Sequence, residues 1–113
     1  MSRISMKVYQ YKKCGTCRKA TNQLDQAGIT YQSIPIREQP PTKTELRKAI
    51  KLLGKRAVCN RSGKDYREMG LSKKIDDMAV SDLVELLHSN GNLVKRPFIV
   101  DREKITVGFT QKV

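Results

Sequence analysis

The sequence predicts an α/β protein: a strand–helix–strand unit, a helical insert and a closing pair of strands. Three observations carry this. Two short apolar-alternating runs, at 6–12 and 29–36, flank a stretch with helical periodicity. Residues Thr42 and Glu45 have the spacing of a capping box, ahead of a long region of helical pattern. Two further strand-like runs, 97–100 and 104–107, lie close enough together to form a hairpin.

Taken in order, residues 6–12 place Val8 between Tyr9, Tyr11 and polar residues, as a short strand does. Residues 16–26 form a helix with Ala20, Leu24 and Ala27 on one face, and Gly28 stops it. Ile29, Tyr31, Ile34 and Ile36 mark a second strand. Two strands joined by a helix pair in parallel. Pro40-Pro41 then breaks the chain. The capped helix that follows carries Leu46, Ala49, Ile50 and Leu53 and ends at Gly54. A loop at 60–63 precedes a short helical piece at 66–71, in which Tyr66 and Met69 read as packing residues. Residues 80–89 form another helix, with Leu83, Val84, Leu86 and Leu87 toward the core and Asn90-Gly91 as its stop. Asp101-Arg102-Glu103 connects the final two strands. There is no internal repeat and no linker. One domain is expected over 1–113, with the helical insert at roughly 42–90.

The chain has 113 residues and a net charge of +12, from 23 basic and 11 acidic residues. The basic residues are scattered and aromatics for base stacking are few, so sequence-specific nucleic-acid binding is not expected. Attraction to acidic proteins or small anions is the more modest reading of that charge. No apolar run is long enough to span a membrane, and the N-terminus lacks the apolar core of a signal peptide. A cytoplasmic location is expected. Three cysteines are too few and too unevenly spaced for a secreted disulfide framework.

Cys14-Gly15-Thr16-Cys17 stands between the first strand and the first helix. Two cysteines at this spacing and position read as a thiol–disulfide redox pair. A helix N-terminus directs unpaired N–H groups and partial positive charge at whatever sits there. A thiolate at Cys14 is stabilised by both, so its pKa is expected to fall. A zinc site needs four ligands, and only Cys59 and His88 remain as soft ligands, at no recognised spacing. Cys59, beside Ala57 and Val58, reads as a buried structural cysteine. His88, late in a helix, reads as a complement to that helix's C-terminal dipole.

The run 11–20, Tyr-Lys-Lys-Cys-Gly-Thr-Cys-Arg-Lys-Ala, resembles the active-site loop of the arsenate reductase family. That family is related to glutaredoxin and includes the Spx transcriptional regulators. Segments 65–71, 86–91 and 95–100 extend the resemblance over nearly the whole chain. It implies a thioredoxin-like fold with a helical insert and no bound cofactor. It also implies that Cys14 is the nucleophile, with Cys17 as the natural resolving thiol. Arg96 would stabilise the thiolate or an oxyanion. Pro97 would follow a cis peptide bond facing the cysteine loop; the plainer reading is a proline tolerated at a strand start. Gly15, Thr16 and Arg61 complete the expected substrate-binding set.

Glutaredoxin-coupled arsenate reductases grip their oxyanion with three arginines. Arg96 matches one; Asn60 stands at another, with Arg61 next to it; Phe109 stands at the last. The resemblance therefore implies a weaker oxyanion grip than theirs. The cysteine pair and Val107-Gly108-Phe109 look more like the Spx branch. Two functions are expected candidates. One is a thiol-dependent reductase acting on a small thiol, oxyanion or redox-protein substrate, with glutathione, glutaredoxin or thioredoxin as electron donor. The other is a redox-sensing regulator docking on the RNA polymerase alpha subunit, with Arg47 and Gly54 as candidate contacts. Relatives usually continue into a final helix beyond the position of Phe109.

Overall fold

The computed structural model describes residues 6–108. Its strands are β1 (Met6–Gln10), β2 (Gln32–Pro35), β3 (Phe98–Asp101) and β4 (Lys104–Val107). Its α-helices are α1 (Gly15–Gln26), α2 (Lys43–Leu53), α3 (Lys55–Val58), α4 (Lys64–Glu68), α5 (Leu71–Lys74) and α6 (Val80–Ser89). The strands form one sheet in the order β2-β1-β3-β4. β1 and β2 pair in parallel, with Tyr9 opposite Ile34. β3 runs antiparallel to both β1 and β4. The expected strand–helix–strand unit, helical insert and hairpin are all present.

Both faces of the sheet are covered. Val8 and Tyr9 are adjacent in β1 and both buried, and neighbours on a strand point to opposite faces. Tyr9 joins the main core with Leu46, Ala49 and Ile50 of α2 and Leu83, Val84 and Leu87 of α6. Val8, Cys17 and Ala20 are buried outside that cluster, which puts α1 against the Val8 face. Phe98 of β3 meets Tyr9 edge-on, ring centres 5.8 Å apart.

Several element limits differ from the sequence reading. β1 stops at Gln10, two residues before the expected end, because Tyr11 to Lys13 turn into the cysteine loop. β2 begins at Gln32, so Ile29 lies outside it and is exposed. The buried stripe of α1 is Cys17, Ala20 and Thr21; Leu24 is half-buried and Ala27, the C-cap, is exposed. Leu53 is also exposed, at the last turn of α2 beyond its buried stripe. The expected piece at 66–71 is instead two short helices, α4 and α5, broken at Gly70, which takes a left-handed φ of 63°. Tyr66 is buried there, but Met69 caps α4 on its exposed side. α3 was not foreseen. The hairpin has a two-residue connection, with Arg102 left-handed at φ 57°.

α6 keeps its expected bounds, although Leu86 is only half-buried. His88 Nδ1 lies 3.0 Å from the Pro41 carbonyl and donates to it, tying the end of α6 to the segment before α2. The capping box of α2 is complete: Thr42 Oγ1 accepts from Glu45 N, and Glu45 Oε1 accepts from Thr42 N. Glu45 does more than cap. Its carboxylate also accepts from Tyr9 Oη at 2.7 Å and pairs with Lys7 Nζ, joining α2 to β1. Burial pushes the Glu45 pKa up, but hydrogen bonds from Lys7, Tyr9 and Thr42 outweigh it and hold it below its usual value.

A carboxyl with a lowered folded pKa adds stability above its unfolded pKa, about 4.3. That contribution disappears as pH falls through the folded value. Glu45→Gln is therefore expected to cost about 1–2 kcal/mol at neutral pH. The difference from the wild-type chain should shrink as pH falls below about 4.3 and on through the lowered folded value. Chemical denaturation at neutral pH and across that acid range checks this.

Candidate functional site

The site is built where β1 hands over to α1. Cys14 is the N-cap of α1, with φ −87° and ψ 115°. Its Sγ accepts a hydrogen bond from Cys17 N at 3.2 Å, the cap bond a serine or aspartate oxygen accepts elsewhere. The loop is closed by Cys14 N donating to Tyr11 O at 3.0 Å, and the helix is entered by Arg18 N donating to Cys14 O at 3.1 Å. Cys14 is half-buried, Cys17 fully buried, and both are free thiols.

The two sulfurs are electrostatically unlike. Burial pushes the Cys14 pKa up. Hydrogen bonds from the Cys17 thiol and N–H, the Arg96 charge and the Thr16 N–H together outweigh it, and the pKa falls below the ordinary thiol value. Cys17 is pushed up to about 12, first by burial and then by its bond to Cys14 and the charge there. Of the two, the outer sulfur is therefore the one that gives up its proton more readily.

A cleft of about 310 Å³ opens at Cys14, with Tyr11, Thr16, Asn60, Ser62 and Arg96 among its lining residues. Lys13 and Lys95 also border it, and no carboxylate does. The Arg96 guanidinium stacks over the Tyr11 ring at 5.2 Å, and its Nη1 is buried without a hydrogen-bond partner. The Arg96–Pro97 peptide is cis, and the buried Pro97 leads directly into β3, the strand beside β1.

Of the expected site residues, Cys14, Thr16 and Arg96 meet at this cleft, with Cys17 directly beneath and Gly15 exposed at the helix start. Arg61 does not join them. It is exposed and lines a separate depression with Arg56 and Asp76. Its neighbours Asn60 and Ser62 face Cys14 instead, because Asn60 N donates to Leu93 O and its side chain to Asn92 O. Phe109 lies outside the described residues. Tyr11, Asn60 and Ser62 are not among the expected site residues, although two of them carry a signal: Tyr11 stands three residues before Cys14, and Asn60 stands at the position of a family oxyanion arginine.

Cys59 is fully buried, and its thiol donates to Lys55 O at 3.3 Å. Burial pushes its pKa up to about 11. Among the described residues, no three His, Cys, Asp or Glu side chains gather to hold a metal ion. No described helix is long and apolar enough to cross a membrane.

A cysteine pair at the head of the first helix, one strand away from a cis proline in a β2-β1-β3-β4 sheet, defines a thioredoxin-like α/β protein. Comparison with known proteins gives the branch. The ArsC family model matches residues 9–113, and the chain belongs to the ArsC family. It is 44% identical to the uncharacterised protein YusI of Bacillus subtilis over 110 residues, 96% of this chain and 93% of that one. It is 27% identical to the global transcriptional regulator Spx of Streptococcus mutans over 100 residues, 87% of this chain and 72% of that protein. The crystal structure of a possible arsenate reductase from Streptococcus mutans superposes with a TM-score of 0.90 at 33% identity, covering 96% of this chain and 94% of the other.

Proposed function

We propose that this protein is a thiol–disulfide oxidoreductase in which Cys14 attacks and Cys17 resolves. The observation that carries this reading is the split between the two sulfurs: the outer one favoured as thiolate, the inner one held protonated. The thiolate is the nucleophile in exchange. Cys14 Sγ attacks one sulfur of a substrate disulfide, forming a mixed disulfide and releasing the other half as a thiolate. The negative charge on Cys14 is then gone. Two of the influences raising the Cys17 pKa depend on Cys14 and go with it. Cys17 loses its proton to water, attacks Cys14 Sγ and expels the second thiolate. Two electrons have passed from the cysteine pair to the substrate. A donor thiol returns them by the reverse exchange; glutathione, glutaredoxin and thioredoxin are the candidates.

Arg96 and the N–H groups of Thr16 and Cys17 stabilise the anionic sulfur in this scheme. Gly15 leaves the helix start uncrowded: nothing lies within 4 Å of where its Cβ would be. Pro97 sets the strand entry that carries Arg96. Arg61 has no part, given its separate depression. Burial of Cys17 supports an internal resolving role, since an outside thiol cannot reach it without displacing α1.

The test is a titration of the reduced protein in thiol–disulfide buffers read by intact mass. The expected product is an internal disulfide, seen as the loss of two hydrogens and mapped to Cys14–Cys17. If both cysteines remain thiols across the titration, the reading fails.

A second reading is a redox-sensing regulator. It is favoured by the match to Spx and by α2, where Arg47 is exposed in mid-helix and Gly54 turns the chain at φ 95° after its last residue. Capture of the RNA polymerase alpha subunit that switches with the state of the cysteine pair supports the regulator.

A further inference from the structure

A second cleft of about 310 Å³ adjoins the one at Cys14 and shares Asn60, Gly63 and Arg96 with it. Its far side adds Arg37 and Lys64. Arg37 follows β2, and its Nη1 donates to Tyr11 Oη at 3.0 Å while its guanidinium lies 5.0 Å from the Tyr11 ring centre. Tyr11 therefore has guanidinium groups from two different elements against it. One of these, Arg96, is close enough to Cys14 to lower its pKa. The other stands in the adjoining cleft.

Three cations, Arg37, Lys64 and Arg96, line this second cleft against one carboxylate, Asp65. Asp65 is committed within the protein: its Oδ2 accepts from Asn90 Nδ2 at 3.0 Å and Asn92 Nδ2 at 3.3 Å, and the Lys64 and Arg37 charges help hold its pKa down. Lys64 also pairs with Glu68 at 3.9 Å, which leaves the Arg96 charge in excess. The Arg96 Nη1 donor is buried and has no partner. A buried donor left unmade is costly, and a guanidinium fork matches a carboxylate.

We propose that Arg37 and Arg96 form a carboxylate subsite next to Cys14, so that the preferred substrate is a small disulfide carrying a carboxylate. This rests on the oxidoreductase reading and names its substrate class. The sulfur of the substrate enters the Cys14 cleft while its carboxylate occupies the adjoining one. Cys14 Sγ then forms the mixed disulfide, and the departing thiolate takes a proton from water.

The test compares reduction of dithiodipropionate, a dianion, with hydroxyethyl disulfide, which is neutral, by the full-length reduced protein. Released thiol is followed under single-turnover conditions. Arg37→Ala is expected to slow reaction with dithiodipropionate about tenfold and to leave the neutral disulfide unchanged. Arg37→Lys should recover part of the loss. Lys43→Ala, which removes one charge from α2, controls for long-range attraction and should change neither rate. Equal losses on both disulfides in Arg37→Ala, or an equal effect of Lys43→Ala, overturn the subsite. No reaction of the wild-type protein with either disulfide overturns instead the oxidoreductase reading beneath it.

Discussion

Cys14→Ser is expected to abolish disulfide reduction, by on the order of a thousandfold or more, while leaving the fold intact. The reason for the loss is the pKa of the attacking atom. Against the opposing effect of burial, Cys14 is held below the ordinary thiol value by hydrogen bonds from the Cys17 thiol and N–H, then by the Arg96 charge and the Thr16 N–H. A serine hydroxyl ionises far too weakly for the same surroundings to make it an anion. The reason for the intact fold is the cap. Cys14 Sγ accepts from Cys17 N at 3.2 Å, and serine is among the preferred N-cap residues. Thermal melts should therefore match the wild type while the rate of thiol release collapses.

The same atom supplies a pH signature. Alkylation of Cys14 by iodoacetamide should become half-maximal below the pH of an ordinary free thiol, about 8.5. Arg96→Met should move that midpoint upward, since a nearby cation favours the charged form. A wild-type midpoint at or above the free-thiol value would contradict the electrostatic account of the site.

Gly91→Ala is expected to destabilise the fold by on the order of 3 kcal/mol. Gly91 is buried in the 3₁₀ turn after α6, and a Cβ there would fall 1.9 Å from the Ile36 carbonyl oxygen and 2.8 Å from its carbon. Those are backbone atoms, so no side-chain rotation relieves the clash. Ile36 cannot retreat freely, because its own N–H donates to Gln10 O and its side chain is fully buried. The turn cannot retreat freely either: Leu93 and Val94 behind it are fully buried, and Leu93 O accepts from Asn60 N. A fall in melting temperature of about 15 °C is the expected readout. Gly15→Ala is the matched control, since an added Cβ meets nothing within 4 Å. A melt of Gly91→Ala within a few degrees of wild type would mean that the close approach is not maintained in solution.

Much of the fold was legible in the chain because it depends on short-range patterns. The capping box of Thr42 and Glu45 was readable from a spacing of three residues, and it forms as expected. Residues 80–89 showed a helical stripe between clear start and stop signals, and α6 occupies those residues. The parallel β1–β2 pair followed from a strand–helix–strand order. Boundaries failed where a local pattern was compatible with two outcomes. Ile29 and Tyr31 alternate as a strand does, yet only residues from Gln32 onward have a partner on β1. Met69 has helical spacing from Tyr66, but Gly70 turns the chain before that stripe can be buried.

By itself, the sequence determined that two cysteines stand at a strand-to-helix junction, with the outer one at the helix's N-terminal end, because both depend on neighbouring residues and the helix's own unpaired N–H groups. Only the tertiary structure decided what surrounds that sulfur. Tyr11, Asn60 and Arg96 reach one cleft from three distant parts of the chain, while Arg61 turns away and Arg37 takes up a place beside them. Which side chains face a cleft follows from how the backbone segments cross and whose carbonyls they bond, as Asn60 does to Leu93 and Asn92. That information belongs to contacts between residues far apart in sequence, and no local pattern carries it.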